Sequence, residues 1–221
     1  MRHFLVRLAY LVFGLFLFAL GIVITMRANV GYAPWDVFHA GIAASSGVSI
    51  GMVSILVGCA ILVVTLLLGE KIGVGTICNM VLIGIFIDLL LRPGLVPVMD
   101  HWYFSYPFLV LGLFVISLGS YFYIRSGFGA GPRDSLMLVV ARHSRVPIGV
   151  CRAAIELLAV ASGWLLGGQV GLGTVIAALG IGFCVQVTFR LLRFDATGVR
   201  HETLGQTWLR LRPDSPNRGD E

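Results

Sequence analysis

Residues equipped for chemistry are few in this chain of 221 residues, and most of them come in pairs. The pattern Arg-x-x-x-Gly-x-x-Pro-x-Asp occurs twice, as Arg27, Gly31, Pro34 and Asp36 and again as Arg125, Gly129, Pro132 and Asp134. Glycine permits a tight turn after a helix. Proline suits the first position of a new helix, where its missing N–H is not needed. A carboxylate two residues later sits at the positive end of that helix. Each copy therefore predicts a short helix that opens on a Gly-Pro turn and carries an aspartate in its first turn. Arg27, Asp36, His39, Arg125 and Asp134 are candidates for a substrate or ion site. Each also has a plain structural account, since Asp near a helix start caps it and Arg at the end of a membrane span reaches for headgroups.

Glu156 is the most deeply placed ionisable residue, midway along an apolar stretch, with Arg152 one helical turn before it. A charge at such depth costs at least about 2.5 kcal/mol, so Glu156 should face the interior, be protonated or be paired. Pairing with Arg152 at i, i+4 is the structural alternative to a proton or substrate role. Asp88 and Arg92 share that spacing, and Asn79 and Gln186 could bond neighbouring helices. Two Gly-x-Gly-Thr segments, Gly73, Gly75, Thr76 and Gly171, Gly173, Thr174, have neither a following lysine nor a preceding strand. They read as close helix packing rather than phosphate loops. The four cysteines and five histidines have no metal-ligand or redox spacing. No nucleophile–base set is legible, so no cofactor is expected and an enzyme is disfavoured.

The elements that must position these residues are apolar helices. The chain is 57% hydrophobic and 12% charged, about half the charge that a soluble surface requires. Six spans are expected, at 8–25, 50–68, 73–91, 107–124, 148–166 and 172–192. The first is too long for a signal-peptide core and lacks a small-x-small cleavage site, so it reads as retained. Two twelve-residue segments, 34–45 and 132–143, cover about 18 Å each, too little to cross the bilayer. The polar tail after 193 should be loose, apart from an interfacial helix carrying Leu204, Trp208 and Leu211.

Shifting the sequence by 98 residues superposes its two halves without a gap, with 25 identities in the 82 positions from Leu11 to Arg92. Apolar bias alone would not align Arg, Pro, Asp and Gly in one register. Three spans per half is an odd number, so the second half enters the membrane from the opposite side. The expected fold is all-α: six transmembrane helices as two inverted three-helix repeats, each with a short re-entrant or interfacial helix. The expected units are a cytoplasmic N-terminus (1–7), a first repeat (8–92), an external connector (93–106), a second repeat (107–192) and a cytoplasmic tail (193–221). Charge agrees with this orientation. The 27–49 loop holds one arginine, whereas 125–147 holds Arg125, Arg133, Arg142 and Arg145, as cytoplasmic loops do. The net charge of +5 thus reflects orientation and anionic lipid, and nucleic acid is not an expected partner.

The run Arg27-Ala-Asn-Val-Gly31-Tyr-Ala-Pro34-Trp-Asp36-Val-Phe-His39, followed by Ser49-Ile-Gly51 and Gly73-x-Gly75-Thr76-x-x-Asn79, resembles the YczE/YyaS/YitT group of bacterial membrane proteins. The resemblance spans roughly Arg7 to Arg193 and implies a protein of the bacterial inner membrane. From the residues themselves two function classes stand: a small secondary transporter or exporter of a small solute, and a non-transporting partner that organises or regulates another membrane protein. Six short spans make a thin bundle, with which a homodimer is compatible.

Overall fold

A computed structural model of the chain describes residues 2–70, 72–129, 131–199 and 202–206. Among these residues eight α-helices and no strands occur: α1 (Arg2–Arg27), α2 (Pro34–Ser46), α3 (Ile50–Leu67), α4 (Val74–Leu90), α5 (Trp102–Arg125), α6 (Pro132–Ser144), α7 (Ile148–Leu165) and α8 (Leu172–Leu191). The chain is an all-helical, multi-pass membrane protein. Five helices, α1, α3, α5, α7 and α8, are long and apolar enough to cross a bilayer. The expected sixth span, α4, has 17 residues, about 25 Å of helix, and falls short of the others.

Local signals explain most boundaries. Pro34 and Pro132 open α2 and α6. The Ser49 hydroxyl caps α3 by accepting from the Met52 N–H at 3.3 Å. Gly47 ends α2 in a left-handed conformation, φ 72°, which glycine adopts without strain. Its counterpart after α6 is Arg145, which takes φ 59° at a steric cost of about 1 kcal/mol. Two helix starts lie well before the expected ones: α1 begins at Arg2, and α5 begins at Trp102, so Pro107 lies inside it. Pro107, sixth in the helix, has no N–H to give the Tyr103 carbonyl and sets its ring against it, yet α5 runs through it.

The core is built by α1, α4, α5 and α8. Leu11, Leu15, Ile22 and Val23 pack with Ile83 and Ile87, with Leu113 and Ile116, and with Ala177 and Cys184. Glycines bring α1 and α5 into backbone contact: a Cβ on Gly14 would stand 2.9 Å from the Gly119 carbonyl oxygen, and one on Gly21 would stand 2.8 Å from that of Gly112. These contacts exchange under the 98-residue shift, Gly14 corresponding to Gly112 and Gly21 to Gly119. Hydrogen bonds do the same. Gly75 N–H donates to the Phe128 carbonyl at 2.8 Å, and Gly173 N–H to that of Val30 at 2.8 Å. The short helices pack on the long ones, α2 against α3 and α7, and α6 against α7 and α3.

Because α1 is about 39 Å long, its two ends mark two faces of the molecule. Near its start, Arg7 donates to the Ser126 carbonyl and pairs with Glu202 at 2.6 Å. On that face two described residues of the tail are tied down: Glu202 N–H bonds the Gly127 carbonyl, and Leu204 N–H that of Ile72. Trp208 and Leu211, expected to continue an interfacial helix, lie outside the described residues. At the far end of α1, the Arg27 carbonyl accepts from Met99 N–H, and Asn29 accepts from Gln169 at 3.1 Å.

Candidate functional site

The two short helices meet at their first turns. Their first-turn residues Trp35 and Arg133, equivalent positions of the two halves, touch each other: the guanidinium lies over the Trp35 ring, 5.0 Å from its centroid. Behind this contact is a cavity of about 270 Å³. Its polar lining comes from six helices: His39 (α2), Ser54 (α3), Asn79 (α4), Ser120 and Tyr123 (α5), Arg133 and Asp134 (α6), and Arg152 (α7). Apolar walls complete it, among them Phe18, Ile83 and Ile181.

His39 is the most telling residue of this lining. It is 1% exposed, and neither ring nitrogen has a hydrogen-bond partner. Asp36 stands close by, with Nδ1 to Oδ1 at 3.9 Å, beyond hydrogen-bond length. An unsatisfied buried polar group costs on the order of 1–3 kcal/mol, so two on one ring call for an explanation in function. Its counterpart in the second half is Met137, so repeat symmetry does not impose the imidazole.

The charged groups form a chain around the cavity. Arg133 stands within electrostatic reach of Asp36, Asp134 and Glu156. Asp36 is buried, whereas Asp134 is exposed and accepts from the Tyr123 hydroxyl at 3.2 Å. Arg152 Nε donates to Glu156 Oε1 at 2.9 Å. The arrangement offers a small polar solute both donors and acceptors in a confined, largely apolar chamber, as solute-binding sites do.

Several sequence expectations are redirected. Asp36 does not cap α2: the N-cap is Ala33, without a side-chain cap bond. Arg27 does not reach for headgroups; its Nη2 donates to the Leu91 carbonyl at the end of α4, at 2.7 Å. Arg125 lies over the Tyr10 ring, 5.4 Å from its centroid, and donates to the Tyr121 hydroxyl. Both motif arginines thus stand away from the cavity, held by α4 and by aromatic rings. Asp88 does not pair with Arg92 but accepts from Ser49 Oγ at 2.5 Å and from Gly51 N–H at 2.8 Å. Gly31 and Gly129, with φ 107° and 125°, turn the chain where it meets Gly171 and Gly73. Thr76 and Thr174 accept from Gly73 N–H and Gly171 N–H, at 3.3 and 3.1 Å. Among the described residues no group of three or more His, Cys, Asp or Glu is placed to hold a metal.

Arg133 is the site residue that sequence reasoning passed over, counting it only as a loop charge. A usable signal existed: it is the one arginine of that loop lying between the motif's Pro132 and Asp134, where the first half has Trp35. Ser54, Ser120 and Tyr123 carried no such signal, because isolated hydroxyls in apolar helices are common packing residues.

Known proteins extend this picture. The model of a family of unknown function, DUF6198, matches residues 5–190. An uncharacterized protein of Haemophilus influenzae is 31% identical over 185 residues, covering 84% of each chain. The uncharacterized membrane protein YczE of Bacillus subtilis is 33% identical over 184 residues, covering 82% of this chain and 81% of its own. YyaS of the same organism is 26% identical over 176 residues, 74% of this chain and 82% of its own. No solved structure matches.

Proposed function

We propose that this chain, which belongs to the DUF6198 family and is related to YczE and YyaS, is a small secondary transporter or exporter of a small polar solute bound in the central cavity. The observation that carries the reading is His39, buried beside that cavity with both ring nitrogens unpartnered. A ligand that bonds the imidazole would remove the penalty, so solute binding is favoured where the lone protein is least satisfied.

The proposed architecture is two three-span repeats of opposite orientation, with α4 as a short sixth span and α2 and α6 as re-entrant half-helices. It is supported by helix boundaries that recur at 98 residues and by contacts that exchange between halves, as contacts about a two-fold axis do. In such repeats the site lies at the interface near the bilayer midplane, where half-helices meet. No catalytic role is assigned to any residue. The proposed setting is the bacterial inner membrane with both termini cytoplasmic.

The test is flux in proteoliposomes, using a panel of labelled small polar solutes under imposed proton and sodium gradients. At least one solute should move in a protein-dependent way, and His39→Ala should abolish that movement while the protein stays monodisperse and folded. Full flux in His39→Ala would remove the cavity from the mechanism. No flux with any solute, together with capture of one stoichiometric membrane partner, would favour the organising role instead.

A further inference from the structure

The two halves differ at one seam. Helices α3 and α4 pack together along the bundle, whereas α7 and α8, their counterparts, barely touch. Side chains explain why. In the first half Ile55 packs on Gly84 and Met80 on Gly58, while Asp88 ties the α4 end to Ser49 and Gly51. Adding 98 to each number gives Ala153 for Ile55, Ala178 for Met80, Glu156 for Gly58, Gln186 for Asp88 and Pro147 for Ser49. Both fillers have shrunk to alanine, the clasp has lost its carboxylate and its hydroxyl, and a charge has entered where a glycine allowed contact. Gly149 and Gly182 remain at the positions of Gly51 and Gly84, yet nothing stands within 4 Å of where their Cβ atoms would be.

The result is a cleft of about 480 Å³ between α7 and α8, with Leu157, Val160 and Leu179 among its mostly apolar walls. Ala153 and Ala178, the two shrunken fillers, both line it, as does the Arg152–Glu156 pair. Arg152 also lines the central cavity, so one residue borders both spaces. We propose that the α7–α8 cleft is a lateral binding site for an anionic membrane amphiphile, with its head group on Arg152 and its chain between the two helices.

The occupant follows from the walls. A water-soluble solute has no match in the apolar sides, and an apolar helix of a second copy would strand an ion pair against hydrocarbon. An amphiphile answers both surfaces. Its sign follows from exposure: the Arg152 side chain is 46% exposed and that of Glu156 19%, so the cation is the group presented. Guanidinium binds phosphate and carboxylate oxygens through charge-assisted bonds, and basic pockets between spans recognise anionic head groups. The inference is independent of whether the protein transports.

The experiment uses the full chain in nanodiscs containing diazirine-tailed phosphatidylglycerol or phosphatidylcholine, with adducts mapped by mass spectrometry after illumination. Adducts of the anionic lipid should concentrate on residues 153–160 and 175–179, about tenfold above those of the zwitterionic one, the scale of one charge-assisted contact. Ala178→Met, which restores the first-half filler, should remove them without lowering thermal stability, and Ala153→Ile should do the same if the first variant folds poorly. Glu156→Gln should raise the preference by freeing Arg152, and the double variant Arg152→Gln with Glu156→Gln should erase it. Adducts spread evenly over all outward helix faces, equal labelling by both lipids, or chain-to-chain crosslinks through the cleft would each overturn the proposal.

Discussion

Asp88 and Gln186 occupy equivalent places in the two halves, and only the first is tied down. The Asp88 carboxylate accepts from Ser49 Oγ and from the Gly51 N–H, one of the first-turn donors of α3 that have no partner within their own helix. A negative charge there also complements the positive end of α3. Asp88→Ala is expected to lower stability by about 1–3 kcal/mol, because it strands that donor and hydroxyl together. Gln186 is exposed, and Gln186→Ala should stay within about 0.5 kcal/mol of the parent. Thermal unfolding in one detergent, compared for the two variants, decides this. Equal shifts would mean that the Asp88 clasp contributes nothing. His39 makes the same point about pairs from the opposite direction: the repeat duplicated its aspartate, Asp36 with Asp134, but set a methionine opposite the imidazole.

Glycines bring backbones together at the α1–α5, α2–α7 and α3–α4 seams, so the same substitution should act differently at seams that correspond in the two halves. A Cβ on Gly84 would fall 2.5 Å from the Gly51 carbonyl oxygen, a contact that demands backbone movement. At Gly182 there is open space. Gly84→Ala should therefore cost about 1–3 kcal/mol through overpacking. Gly182→Ala should be neutral, or stabilise by up to about 1 kcal/mol through helix propensity. Urea or thermal melts of the two alanine variants test the asymmetry between α3–α4 and α7–α8 directly. Similar losses at both sites would mean that α7 and α8 close on each other in the membrane.

At the scale of the whole molecule, contacts sort the loops into two faces. Arg7, Ser126 and Glu202 share one, and Glu70 pairs with Arg142 at 3.1 Å. Arg27, Asn29, Met99 and Gln169 share the other. The 125–147 loop holds four arginines against one in its counterpart, so the positive-inside rule predicts that the first face is cytoplasmic. A cysteine at the exposed His143 should accordingly resist an impermeant maleimide in intact cells and react after permeabilisation. Labelling in intact cells would reverse the orientation.

Membrane embedding, helix ends and the duplication were legible in the chain by itself, because each is written along one dimension. Apolar runs report the solvent, Pro34, Ser49 and Pro132 mark where helices start, and the 98-residue register survives as punctuation. The pairings were not legible. That Arg27 bonds Leu91, that Arg133 stacks on Trp35, that His39 is left without a partner and that Asp88 turns to Ser49 all depend on which distant helices become neighbours. The α7–α8 cleft is the clearest case. Ala153 and Ala178 are ordinary small residues in a helix, and they become an opening only because each stands where the first half has a larger side chain filling the seam.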